Sequence, residues 1–221
     1  MKFSSEKEMF DLMEEKLSTA VICDALDTLG YRNQLMDAAI RPLEFDHVIA
    51  GRAMTIQAAD VSSVPTKPYE MEIAAVDSIK PNEIVVAATN KSTSNAFWGE
   101  LLSTAAIKRG ARGAVIYGGT RDQKQIKGTG FKVFTSAINP LDSQGRCIVI
   151  DYGCPVDCGG VILSPGEIVF GDCDGIVVIP KEVEDKVIEA SLDKISKERQ
   201  SLDMIKAGAL LRDVFDKYGV L

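Results

Sequence analysis

Residues 83–122 read EIVVAATNKSTSNAFWGELLSTAAIKRGARGAVIYGGTRD, and this stretch decides how the rest of the chain is folded. Its opening, Glu83-Ile84-Val85-Val86-Ala87-Ala88, follows the turn pair Pro81-Asn82 and predicts a strand buried in the sheet. Residues 89–98 predict a loop, residues 99–109 a helix, and residues 114–117 a second strand. Gly118-Gly119-Thr120-Arg121-Asp122 closes the unit as a loop, the two glycines letting the backbone turn tightly and approach a ligand.

Such a β-α-β crossover starts its helix at the carboxyl edge of the sheet, and its second strand returns to that edge. The lengths agree, because about 11 helical residues at 1.5 Å cover roughly 16 Å, as do about five strand residues at 3.3 Å. Twenty residues separate Glu100 from Arg121 in sequence. The crossover nevertheless brings Gly99-Glu100-Leu101-Leu102 and Arg121-Asp122 together, at the edge where open α/β sheets bind ligands.

The residue types suit a small carboxylate and a divalent cation. The N–H groups of Leu101 and Leu102 lie in the first helical turn, where they are free donors under a positive dipole. Arg121 adds a planar fork matched to a carboxylate. Asp122 and Glu100 are hard oxygen donors for Mg²⁺ or Mn²⁺, directly or through water. A plainer reading stands beside this one, since Arg-Asp pairs also form surface ion pairs and an acid in a first helical turn complements the dipole.

Before this unit, residues 6–17 predict an amphipathic helix, and residues 18–29 a second one capped by Ser18 or Thr19 and ended by Gly30. Alternation over residues 47–58 predicts a strand, and residues 69–79 a short helix. Downstream, strands are expected at 132–134, 146–152, 156–163, 167–170 and 176–179, punctuated by turns such as Pro165-Gly166 and Asp174-Gly175. Helices follow at 181–206 and 210–217. With 221 residues and no repeat or linker, one domain over 1–221 is expected, its core about 17–180 and its C-terminal helices about 181–217.

Composition narrows the function. A net charge of −7 argues against nucleic-acid binding, which needs a basic footprint. The small basic cluster Lys108, Arg109 and Arg112 sits at a helix end, where cations complement the dipole. No apolar run approaches the roughly 20 residues of a membrane span, and Met1-Lys2-Phe3-Ser4-Ser5-Glu6 does not read as a secretory signal, so a cytoplasmic protein is expected. Five scattered cysteines and one histidine point to free thiols rather than a zinc site.

These residues resemble the signature of the RraA-like family, which includes the class II 4-hydroxy-4-methyl-2-oxoglutarate/4-carboxy-4-hydroxy-2-oxoadipate aldolases and the regulators of ribonuclease E activity. That signature is an acidic residue, twenty residues and Arg-Asp, as in Glu100…Arg121-Asp122. The resemblance extends to Pro165-Gly166-Glu167 with Gly171-Asp172-Cys173-Asp174-Gly175, and to Ser18-Thr19-Ala20-Val21-Ile22-Cys23-Asp24.

It implies an α/β fold, a swivelling β/β/α domain resembling the phosphohistidine domain, assembled as homotrimers or hexamers with sites near subunit interfaces. It also implies roles. Gly99, Leu101, Leu102 and Arg121 would bind the pyruvate part of a small 2-keto acid, Asp122 would hold Mg²⁺ or Mn²⁺, and Glu100 would act as a second acid through water. The implied reaction is retro-aldol cleavage of a 4-hydroxy-2-oxo acid, or oxaloacetate decarboxylation, through a stabilised enolate.

Glu100 stands where the aldolases have aspartate, reaching about 1.5 Å further, and Tyr117 stands where many relatives have aspartate. Both point to a lyase of other specificity. Phe97 and Trp98 would either wall the substrate or pack in the core, and Lys124 and Lys127 are expected in a solvated polar turn. The alternative is a regulatory binding protein of the ribonuclease E inhibitor type. A phosphohistidine carrier is disfavoured, because His47 matches no phosphocarrier motif. A dinucleotide enzyme is disfavoured because Gly128-Thr129-Gly130 lacks the third glycine.

Overall fold

The computed structural model describes residues 3–219, so Met1 and Lys2 of the expected non-signal start, and the last two residues of the expected domain, lie outside the described residues. Two helices lead, α1 (Glu6–Lys16) and α2 (Thr19–Thr28), followed by β1 (Arg41–Pro42), β2 (Ile49–Asp60), α3 (Glu70–Asp77) and β3 (Glu83–Trp98). Then come α4 (Glu100–Arg109), β4 (Gly113–Thr120), α5 (Gln123–Thr129), β5 (Val133–Ile138) and β6 (Cys147–Tyr152). The chain continues through β7 (Val156–Cys158), β8 (Val161–Leu163), β9 (Ile168–Asp172) and β10 (Gly175–Ile179), and ends in α6 (Glu184–Lys206) and α7 (Leu211–Tyr218).

Strands run in the order β1-β5-β4-β3-β2-β9-β10, with β6 also on β2 and β7-β8 forming a separate hairpin. The centre, β2-β3-β4-β5, is parallel, whereas β9, β6 and β1 join antiparallel. β2 is long enough to serve two partners in succession, pairing β9 over its first residues and β6 over its last.

The apolar run at the start of β3 is buried on both faces. Val85 and Ala87 join Val76, Ala106, Ile116 and Ile126 beneath α3, α4 and α5. Ile84, Val86 and Ala88 pack on the other face with Val156, Cys158 and Leu163 of the β7-β8 hairpin. Period-two alternation in a strand covered on both sides requires this continuous apolar sequence. A third apolar cluster joins α1, α2 and α6 to β9 and β10.

Helix ends follow the expected chemistry. Ser5 and Ser18 accept from Glu8 N–H and Val21 N–H to cap α1 and α2. Buried Asp172 adds to the second cap, accepting from Thr19 N–H at 2.9 Å and Thr19 Oγ1 at 2.6 Å. The basic residues Lys108 and Arg109 occupy the last turn of α4, and Arg112 pairs with Asp11 and Glu14 of α1.

Four expectations change. Residues 89–98 are the second half of β3 rather than a loop, although ten residue steps from Ala88 to Trp98 run beside only three of β4, from Tyr117 to Thr120. The surplus is bulged out, starting at Asn90 and Lys91, which both hold positive φ. Gly118 and Gly119 lie inside β4 instead of in a turn. A Cβ on Gly118 would meet Thr89 Oγ1 at 2.2 Å and one on Gly119 would meet Asn95 O at 2.1 Å, so the glycines make room for the bulged strand. The polar turn expected around Lys124 and Lys127 is α5, with Lys127 paired to Glu44 at 2.7 Å.

The short strand β1 was not expected, and residues 156–163 are two strands turned at Gly159-Gly160 rather than one. All five cysteines are free, with Cys147 and Cys158 buried. Among the described residues no helix is long and apolar enough to cross a membrane.

Candidate active site

The crossover does bring its two ends together. β3 ends at Trp98, Gly99 caps α4, and β4 delivers Arg121 and Asp122 beside them. Arg121 N–H donates to Trp98 C=O at 2.9 Å. Asp122 Oδ2 accepts from Glu100 N–H at 3.2 Å and lies 3.6 Å from Arg121 Nε.

This contact explains an unusual backbone. Asp122 caps α5 with φ 59° and ψ 34°, a left-handed conformation, and its side chain makes no bond to that helix. An aspartate at an N-cap ordinarily bonds the helix it starts. Here the carboxylate is turned to the start of α4 instead, and strain of this kind gathers at functional sites.

Gly99 is needed for space. Its φ of −162° is open to any residue, but a Cβ would lie 2.8 Å from Asp122 Oδ2 and 3.2 Å from Arg121 Cγ. The first bond of α4 runs from Ser103 N–H to Gly99 C=O. Trp98 C=O is taken by Arg121, which leaves Leu101 and Leu102 N–H as the orphan donors of a helix start.

Gly99, Glu100, Leu101, Leu102, Arg121 and Asp122 all border one pocket of about 630 Å³, a size that suits a small ligand. The Leu101 side chain is 79% exposed at its mouth. Phe97 and Trp98 are buried and pack in the core, Trp98 stacking on Phe131 and donating from Nε1 to Ser103 Oγ, while also forming part of the pocket base. Tyr117 is elsewhere, its hydroxyl donating to Asp37 Oδ2 at 2.8 Å on the hairpin side of the sheet.

Three pocket residues carry no motif signal. Asp142 follows β5 and holds Arg121 Nη1 at 3.0 Å through Oδ1. The Tyr69 hydroxyl donates to Asp142 Oδ2. Burial pushes the Asp142 carboxyl up, but the hydrogen bonds from Tyr69 and Gln144 and the Arg121 charge outweigh it and hold it below its usual value. Burial, with the Asp142 hydrogen bond, pushes the Tyr69 phenol up to about 12, so it remains a donor. The third residue is Glu72, 8% exposed and pushed up to about 7 by burial and then by Asp142, with Arg121 opposing.

The donor set fits a hard divalent cation. Asp122 spends Oδ2 on Glu100 N–H and has a second oxygen without that bond, and Asp122 and Glu100, both hard oxygen donors, border the same pocket. Asp172, Cys173 and Asp174 are also close together. Asp172 there is already spent on Thr19 and on Asp174 N–H at 2.9 Å, as a turn and cap.

The profile of the RraA-like family (Aldolase/RraA) matches residues 19–178. Protein DlpA of Legionella pneumophila is 28% identical over 201 residues, which are 91% of this chain and 32% of DlpA, so the chain spans about a third of that relative. A Halalkalibacterium halodurans protein, named as a proposed 4-hydroxy-4-methyl-2-oxoglutarate aldolase, is 28% identical over 80% of each chain. The crystal structure of Streptomyces coelicolor RraAS2, described as an unusual member of the RNase ES inhibitor RraA protein family, superposes with a TM-score of 0.79 at 23% identity, covering 91% of this chain and 98% of its own. The mixed α/β fold is therefore the RraA fold, and the chain belongs to the RraA-like family.

Proposed function

We propose that this protein is a divalent-metal-dependent lyase acting on a small 2-keto acid, by retro-aldol cleavage of a 4-hydroxy-2-oxo acid or by decarboxylation of oxaloacetate. The observation that carries the reading is the bond from Glu100 N–H to Asp122 Oδ2, which locks the Arg-Asp corner onto the open start of α4. The aldolase name of the Halalkalibacterium halodurans relative supports it.

The substrate carboxylate would rest on Leu101 and Leu102 N–H and on the guanidinium edge of Arg121 that Asp142 does not use. Asp122, with Glu100 acting through water, would hold Mg²⁺ or Mn²⁺. That ion, when bound, supplies positive charge where an enolate oxygen develops. Phe97 and Trp98 at the base and Leu101 at the mouth limit water around the reacting carbons. Orientation is the chain's main contribution, since fixing the carboxylate sets which bond of the 2-keto acid stands across the carbonyl plane.

Pyruvate release from a panel of 4-hydroxy-2-oxo acids and from oxaloacetate, with and without Mg²⁺ or Mn²⁺, tests the proposal. Turnover that needs the metal and is abolished in Asp122→Ala is expected. A folded, metal-loaded sample inert toward every member of the panel would sink it.

A further inference from the structure

Helix α3 presents Glu72, Ala75 and Val76 on its buried face, and Ile79, just past the helix end, continues the same apolar stripe. The last three lie in the core beneath the sheet face, and Glu72 is the stripe's single carboxyl. An apolar residue there would continue the packing at no electrostatic cost. Burying a carboxyl without partners costs free energy, which it escapes by holding a proton.

No partner relieves Glu72. Neither a hydrogen bond nor an ion pair from the described residues reaches its carboxyl, and it borders both the main pocket and a smaller neighbouring cavity. The titratable groups that interact with it are Tyr69 at the N-cap of its helix, Arg121 after β4, Asp142 after β5 and Cys147 on β6, while Lys67, Glu70, Glu100 and Asp122 border the same two cavities. Tyr69 and Cys147 are each pushed up to about 12, mainly by burial, so both are neutral near pH 7. Arg121 and Asp142 neutralise each other at 3.0 Å. The arginine charge is largely balanced by Asp142, so it only partly opposes the cost of burying Glu72, which faces the pocket without a direct partner.

We propose that Glu72 is the proton-carrying group of this pocket, exchanging a proton with the methylene carbon beside the substrate carbonyl. This rests on the lyase reading above. In a retro-aldol turn, ionised Glu72 takes the C4 hydroxyl proton, the O–H electron pair forms the C4 carbonyl of the departing product, and the C3–C4 bond breaks. The bond's electron pair forms the C2–C3 double bond, and the carbonyl pair moves onto the C2 oxygen. Glu72 then returns the proton to C3, the enolate collapses to pyruvate, and the carboxyl ends as it began. In oxaloacetate decarboxylation it starts protonated, gives its proton to C3 after carbon dioxide leaves, and regains one from water. A carboxyl poised near neutral pH serves both directions.

Two measurements test this. Carboxyl titration by difference infrared spectroscopy on metal-free wild type and Glu72→Gln should show one group ionising near pH 7 in the wild type and absent from the variant. Exchange of pyruvate methyl protons for deuterium in D₂O should fall at least tenfold in metal-loaded Glu72→Gln while pyruvate binding, followed by ligand-observed NMR, stays within about twofold. Glu72→Asp should restore part of the exchange with a displaced pH profile, which a merely structural role would not do.

The proposal is overturned if no carboxyl titrates near neutrality, or if Glu72→Gln exchanges at the wild-type rate and pH profile. If the wild type neither binds pyruvate nor exchanges its protons, the lyase reading and this role in it fail together.

Discussion

Arg121 Nη1 lies 3.0 Å from Asp142 Oδ1, so the guanidinium facing the start of α4 is held by a resident acid before any ligand arrives. Both side chains are about a third exposed, and a pair so placed adds little stability on its own. Its value is orientation, because Nη1 is held on Asp142 and Nε lies near Asp122, which fixes the plane of the fork that the proposed substrate carboxylate would meet.

Lysine cannot divide itself in this way. Its single ammonium would either follow Asp142 or meet the substrate, with no fixed plane. Arg121→Lys should therefore raise KM for a 2-keto acid by about tenfold, roughly 1.4 kcal/mol, with a smaller fall in kcat. Steady-state kinetics on wild type and variant decide it, and an unchanged KM would remove Arg121 from carboxylate binding.

Gly99→Ala tests the site by space alone. The extended φ accepts alanine, so little backbone penalty is expected, yet the new Cβ would press on Asp122 Oδ2 and Arg121 Cγ at 2.8 and 3.2 Å. Displacing reacting groups by about 1 Å costs on the order of 100-fold in rate. A fall of that size in kcat/KM is expected, with a melting temperature within a few degrees of wild type. Full activity would show that the close approach of Gly99 to Asp122 is not needed.

The crossover was legible because its strand is a continuous apolar run and its helix has one period, which local sequence records directly. From there Glu100, Arg121 and Asp122 could be brought together by topology alone. The second half of β3 was not legible. Thr89-Asn90-Lys91-Ser92 carries loop chemistry, and its pairing depends on two glycines of β4 more than twenty-five positions away. Asp142, Tyr69 and Glu72 were missed because they enter the pocket from segments whose place is set by packing. Glu72 did leave a trace, as an acid on an apolar helical stripe.

Asp172 shows how a helix start is anchored from a distance. It is buried at the end of β9 and accepts from Thr19 N–H, Thr19 Oγ1 and Asp174 N–H. Asp172→Ala would orphan these donors, which costs about 2–3 kcal/mol given one cap and the buried hydroxyl. For a chain of this size that is a fall of roughly 5–10 °C in melting temperature. Calorimetry reads it, and a change under 2 °C would show that water replaces the carboxylate without loss.

The elevated Glu72 carboxyl makes stability depend on pH in a definite direction. The ordinary value is 4.5 and the folded value about 7, so between those two the folded state binds the proton that the unfolded state has released. Stability from this group is fully present below 4.5, declines as pH rises through that window, and is gone above about 7. At about 1.4 kcal/mol per unit the whole effect is on the order of 3 kcal/mol. Glu72→Gln has no such proton to lose. Relative to wild type it should gain stability steadily from pH 4.5 upward and level off above about 7, the opposite slope to that of an acid held low by an ion pair. Denaturant unfolding of both proteins across this range measures the difference. A gap that does not widen with pH would mean that Glu72 ionises as freely in the folded protein as in the unfolded chain.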